Sequence, residues 1–577
     1  MSQDNMTQTK ADRVFRSAKV YSVAFDNTVT RAEAVAVHNG KIVYIGTDEG
    51  VLPFIGDTTE VTDCKGNTLL PGFGDGHMHL GVCERRYGGV ILYDLMTDYK
   101  EPEFYVKEIQ RRIKAYADAH PNAKAVLGSG WDRAWFDGSV GFPARPLTRK
   151  DLDAAVPDKP VILDSFCGHV CIVNSKALEE AGLLRTGVEQ IQGGLIRIGE
   201  DGIPDGYLQE TAAINGFKEL CKSSSWTKED RHAAVKACIA EMAEQGLTIG
   251  TDYLYNKESY EVISQMGKDG ELTLRVSGSF LFNNTTAEQD LAYAVEHRHA
   301  YDVDDLVKVD AAKFFIDGDF GLFEPYTPKA CKDNGWEEGY CGEILWDEEN
   351  FRKTAAAAQK AGFHLHAHAM GDRAVAIAAN AFKAAQEEAD PGKTKRNVVI
   401  HIALIRDEEK KLMGESGVIA SVQPLWHGVS ENGNEQERTY FGDKRYTELY
   451  PCNTLINHGV TVAFGSDFPV YPLDTFGSIQ TAIARKITPN DLQYELCKND
   501  PVVNTAECTS LQNAVKAGTI NVAYELGLEN VTGSIELNKS AELVLIDCDL
   551  ENTPVDQFYK IKVLETVFKG KTVYKAE

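Results

Sequence analysis

Short runs rich in Val, Ile and Tyr open the chain: RVFRSAKVYSVA, AEAVAVHNGKIVYIG and EVTDCKGNTLL. Asn-Gly and Lys-Gly turns punctuate them, so this stretch reads as β-structure. The same pattern returns near the C-terminus, in GSIELNKSAELVLIDCD and IKVLETVFKGKTVYKAE. Two β-rich ends around a different middle predict one small composite β-sandwich from residues 1–70 and 525–577, because chain ends within a domain commonly lie close together.

The middle changes period. FYVKEIQRRIKAYADAH, KEDRHAAVKACIAEMAEQG and EENFRKTAAAAQKAG carry apolar residues at spacings of three and four, and the last two stop at Gly, as helices do. Short apolar runs follow: LTIGTDYLY, VKVDAAKFFIDG, FHLHAHAM, NVVIHIALI, GVIASVQPLW and GVTVAFGSDFPV. Such alternation predicts an α/β fold with a parallel sheet, open or closed into a (β/α)8 TIM-like barrel, over residues 71–524. From about residue 85 to 210 the rhythm breaks into loops and Gly/Pro clusters, expected as an inserted α+β subdomain.

Composition narrows the class. A chain of 577 residues with 43% hydrophobic and 25% charged residues is globular and exceeds one ordinary core. Its net charge of −26 repels phosphate backbones and anionic lipid, so neither nucleic acid nor a membrane is expected as partner, and a small-molecule substrate fits better. No run approaches the roughly 20 apolar residues of a bilayer helix, and the polar start MSQDNMTQTKADRVF lacks a secretory core. Twelve cysteines are scattered without a CxxC pair. Only Cys167 and Cys171 lie close, and without a second pair they read as free thiols rather than half a zinc site. Free thiols suit a reducing cytoplasm.

The polar residues of interest end apolar runs, where a parallel barrel builds its active-site rim. In LLPGFGDGHMHL, His77 and His79 are two apart, so an extended strand turns both rings to one side, as two ligands of one metal require. His364, His366 and His368 alternate in the same way, and not all three need bind metal. His401 ends a wholly apolar strand, where a lone histidine is ordinarily a core residue. Asp467 follows Gly465 and Ser466, a setting that alone suggests a turn or helix cap. The order HxH, H, H, D on successive strand ends favours a metal site.

That order comes with long collinear motifs: AEAVAVHNGKIVYIG, LLPGFGDGHMHL, GWDRAW, LDAAVPDKPVILDSFCGHVCIVNSKAL, HAHAMGDRAV, SVQPLWH and NHGVTVAFGSDFPV. In these the chain resembles the amidohydrolase superfamily, within it the YtcJ-like branch that includes N-substituted formamide deformylases. The resemblance implies metal ligation by His77, His79, His368, His401 and Asp467. It also places on Lys313 the carboxylated lysine that bridges two ions in many members. From the residues alone, Lys313 is an ordinary strand lysine and Asp317 belongs to a turn. Ile400 stands where the family often has Glu, and Asp319 where it commonly has Ser.

The resemblance further places His169, Asn174, Trp131, Trp426 and His427 around the substrate, although tryptophans there equally suit packing of the insert against the barrel. Arg373 is expected to begin a helix and pair with a carboxylate. A homodimer is implied by the resemblance only. The expected chemistry is hydrolysis of a non-peptide C–N bond with one or two Zn2+ ions, or another divalent metal. The ion lowers the pKa of water to about 7, with Asp467 as general acid and base and His401 or His169 assisting the metal at the oxyanion. The alternatives are ester or lactone hydrolysis, decarboxylation or isomerisation at the same metal site, and a non-catalytic metal-binding relative.

Overall fold

A computed structural model of the chain describes residues 10–95, 99–138, 141–191, 194–253, 257–318, 321–388, 396–431, 435–491 and 494–577. Residues 1–9 and Asp319 lie outside them.

The apolar runs of the middle region form one sheet of eight strands. These are β1 (Phe73–Met78), β2 (Leu247–Asp252), β3 (Arg275–Leu281), β4 (Val307–Phe315), β5 (His364–Ala369), β6 (Val398–His401), β7 (Ile419–Val422) and β8 (Val462–Phe464). Every neighbouring pair from β1 to β8 is parallel and in sequence order. Beyond β8 the ends meet: the Asp467 N–H donates to His77 O at 2.7 Å, and the His79 N–H to Phe468 O at 2.7 Å. Gly465 permits this approach, since a Cβ there would stand 2.5 Å from the His77 nitrogen. The barrel therefore closes at the two segments that carry His77, His79 and Asp467.

The helices form as their periodicity predicts. Asp347 caps Glu348–Lys360 by accepting from the Asn350 N–H at 2.8 Å. That helix buries Phe351, Ala355 and Ala358 at the predicted spacing. Each large apolar side chain so buried contributes roughly 1.5–3 kcal/mol. Arg373 does lie in a helix, Asp372–Glu388, but no ion pair engages it among the described residues. Among the described residues, no helix is long and apolar enough to cross a membrane.

A second sheet leaves the barrel after β1. Its order is Leu195–Ile198, Pro204–Gln209, Val170–Val173, Val161–Ser165, Val126–Trp131, Val90–Ile91. The helix Pro102–Ala119 buries Tyr105, Val106, Ile109 and Ile113 in the same hydrophobic cluster as strand residues Val126 and Val161. Helix Glu210–Leu220 contributes Phe217 to a neighbouring cluster, so this element continues past residue 210. Its antiparallel pair Val161–Ser165 and Val170–Val173 is joined by residues 166–169. That turn carries Cys167, Gly168 and His169 to the barrel mouth.

The chain ends build two further sheets. One joins Lys41–Gly46, Ala34–His38, Arg13–Arg16 and Glu60–Asp63. The other takes Thr68–Pro71, Lys19–Val23 and Val29–Ala32 from the N-terminal part and Leu543–Ile546, Val563–Phe568 and Lys571–Lys575 from the C-terminal part. Phe15, Val35, Leu69, Leu543 and Val567 share one core between them, and Arg13 spans the sheets to Glu565 at 2.7 Å.

Candidate metal centre

His77 and His79, on one side of the first barrel strand and its end, both aim Nε2 at Asp467 Oδ1, at 2.9 and 2.8 Å. Ligand atoms of these three residues lie within 4.8 Å of one another. Burial pushes the Asp467 carboxyl up, but the two imidazoles outweigh it and hold the group well below the usual range. Burial also drives His77 down, to about 3, so its ring is neutral and keeps one nitrogen lone pair for a metal. The His401 ring centroid is 4.8 Å from that of His77 and 4.6 Å from that of His368, so the four imidazoles form one connected cluster, two of them on the Asp467 carboxylate.

Two of those rings are held from behind. His368 Nδ1 lies 3.0 Å from Asp317 Oδ1, and His401 Nδ1 lies 2.8 Å from Gln423 Oε1. With Nδ1 occupied by an acceptor, the Nε2 lone pair is the one left for a metal. Asp317 is not merely a turn residue. It is fully buried and also accepts N–H bonds from Leu322, Met370 and Gly371 at 2.8 to 3.1 Å. Backbone strain concentrates here too: His401, Ile402 and Asp467 have φ of 76°, 51° and 62°. A positive φ is costly for any of them and most for branched Ile402, and persists where packing over-determines it.

Lys313, on β4, is fully buried, and its Nζ has no hydrogen-bond partner among the described residues. The amine sits 4.7 Å from the ring centres of both Tyr253 and Phe315. Burial lowers it from the usual lysine value to about 7, so much of it is the free amine near neutrality. A buried amine without a partner among the described residues and partly uncharged near neutrality, beside clustered imidazoles and a carboxylate, fits a divalent-metal site. His366 lies beside Tyr253, ring centres 4.8 Å apart, and neither ring nitrogen has a hydrogen-bond partner among the described residues. His364 sits at the outset of β5 and accepts a long bond from the Arg396 N–H at 3.4 Å. Ile400 is buried among apolar residues.

A cavity of about 130 Å³ opens on this cluster, lined by His77, His79, His368, His401 and Asp467. Arg85, Cys167, His169 and Trp426 also stand in its wall, with Gly168, Phe315, Met370 and Val470. His169 Nδ1 is 2.9 Å from Glu210 Oε2, and Trp426 stacks on His401 with centroids 5.3 Å apart. Three expected lining residues are elsewhere. Trp131 is buried in the inserted sheet's core and donates to Leu163 O at 2.9 Å. Asn174 caps helix Ser175–Glu180 and spends its amide on the backbone of Val156, Lys159, Val161 and Ala177. His427 is buried against Tyr450, away from the cavity. The wall and its supports also use Arg85, Glu210 and Gln423, none of which stood out in the sequence. Arg85 alone had a signal, its place just past the end of the first barrel strand.

The amidohydrolase family profile matches residues 60–574. The chain belongs to the amidohydrolase family. It is 27% identical to a putative amidohydrolase, YtcJ, of Bacillus subtilis, over 94% of this chain and 96% of that one. It is 25% identical to the N-substituted formamide deformylase of Arthrobacter pascens, over 98% of each. An uncharacterized metal-dependent hydrolase from Pyrococcus horikoshii shares its fold, with a TM-score of 0.70 and 20% identity over 94% of this chain and 99% of that structure.

Proposed function

We propose that this protein is a divalent-metal hydrolase, using zinc, that cleaves the C–N bond of a small non-peptide amide. The observation that carries this reading is the convergence of His77 and His79 on Asp467, with the unpartnered Lys313 amine in the same buried region. His77, His79, His368, His401 and Asp467 would hold the metal, with carboxylated Lys313 as a further ligand. Metal there would polarise the substrate carbonyl and render water acidic enough to ionise at neutral pH.

The chain's own groups do the rest. Asp467 takes a proton from the attacking water and returns it to the leaving nitrogen, so that the departing group is an amine rather than an amide anion. His401 is better suited to ligation than to oxyanion stabilisation, because Gln423 occupies its Nδ1 and burial holds its ring neutral. His169 suits the oxyanion role by position: Glu210 holds its Nδ1 at 2.9 Å, which fixes the ring at the cavity wall. Trp426 offers a flat apolar surface to the substrate.

The C–N preference rests on kinship with the formamide deformylase along the whole chain and on a chamber suited to a small acyl group. Zinc-loaded protein should be assayed against matched formamides, larger amides, esters and lactones, with metal counted per chain. Formamide or small-amide turnover exceeding that of the matched ester supports the reading. Ester-only turnover sinks it in favour of the same centre acting on C–O bonds.

A further inference from the structure

Arg85 brings a permanent positive charge into the catalytic cavity. It lies in the short helix Glu84–Tyr87 beyond His79, and Ser129 Oγ donates to its carbonyl, which fixes the backbone. Its ion pairing among the described residues is one weak contact, Nε to Asp164 Oδ2 at 3.5 Å. Asp164 is already engaged by Lys218, at 2.9 and 2.8 Å. Two cations therefore share one carboxylate, and the terminal guanidinium nitrogens have no hydrogen-bond partner among the described residues.

The opposing turn makes room for them. Gly168 has φ of 76°, and a Cβ there would stand 2.6 Å from Arg85 Nη1. Bare backbone at this position lets the guanidinium lie against the turn that carries His169. A planar cation with unspent donors in a concave site is a receptor for a carboxylate, which it can bind in a bidentate manner. Neighbouring Arg86 is directed elsewhere: it stacks on Tyr93 at 4.6 Å and lines an adjoining chamber of about 290 Å³.

We propose that Arg85 binds a carboxylate on the substrate, so that the preferred substrates are small amides carrying an anionic group on the part that is not hydrolysed. This rests on the amide reading of the metal centre. It adds a specificity determinant that the metal ligands do not supply, because they engage the scissile group alone.

The test uses zinc-loaded enzyme and two substrate pairs: N-formylglycine and N-formyl-4-aminobutyrate, each with its neutral primary amide. The acid should be preferred at one length or both. Arg85→Met should cut the acid-over-amide ratio of kcat/KM by about 10- to 100-fold, the worth of a charged hydrogen-bonded pair, and Arg85→Lys should retain part of it. An unchanged ratio in Arg85→Met, or a loss that instead follows Arg86→Met, overturns the assignment. If none of the four compounds is turned over, the amide reading falls separately. Calorimetric binding of the same pairs then decides Arg85: an acid preference lost in Arg85→Met upholds it, and one absent or unchanged rejects it.

Discussion

The imidazole of His368 and the carboxylate of Asp317 lie 3.0 Å apart, joining the end of β5 to the segment just beyond β4. Three backbone N–H groups converge on the same carboxylate. Asp317 thus orients the ring and pins the loop that follows it. Asp317→Ala is expected to weaken metal binding by about 10- to 100-fold, as loss of a ligand's hydrogen-bond partner does elsewhere. Asp317→Asn should recover little, since an amide points two donors at groups that already donate. Competition with a chromogenic chelator measures both.

Asp467 separates ligation from proton transfer. Asp467→Asn is expected to retain most of the metal and to lose about 10²- to 10⁴-fold in kcat, the span associated with general acid–base groups. Metal analysis beside steady-state kinetics checks it. Normal turnover with full metal would remove Asp467 from the chemistry.

Lys313 decides the number of ions. Lys313→Met removes the amine on which carbon dioxide forms a carbamate, and the metal content should fall from two ions per chain to one or fewer. Wild-type protein loaded in bicarbonate should carry more metal than protein loaded in its absence, and the variant should show no difference. A wild-type count of one, unaffected by bicarbonate, rules out the bridged centre.

Glu525 supplies a pH dependence from behind the ligands, through Tyr253, whose ring centre lies 4.4 Å from that of His77. It is buried, accepts from the Tyr253 hydroxyl at 2.6 Å, and burial raises it to about 8. A carboxyl raised above its unfolded value adds stability that is complete below about pH 4.5 and is lost as pH rises to about 8. Glu525→Gln keeps the shape without the titration. Wild type should therefore lose stability relative to this variant between those limits, read as midpoints of urea unfolding at several pH values. Parallel curves would show that Glu525 does not titrate in that window.

Much of this protein is visible in its residues. The period-two spacing of His77 and His79 fixes that both rings share a side, whatever surrounds the strand. Apolar runs such as the VVI before His401 mark strands covered on both faces, and their order around the barrel follows from right-handed parallel crossovers. The side-chain directions of the other predicted lining residues are not readable in the same way. Trp131, Asn174 and His427 lie in segments that pass near the site, yet all three side chains turn into packing or capping.

The sequence by itself determined the barrel strands, the helices between them and the set of residues able to bind metal, because these depend on local period and on residue chemistry. Only the tertiary structure decided which side chains meet. It joined His368 to Asp317 across 51 positions and His79 to Asp467 across 388. It also left the Lys313 amine buried and, among the described residues, without a hydrogen-bond partner. The physical reason is that desolvation and hydrogen-bond pairing belong to the space around a group, and chain neighbours supply only a small part of that space.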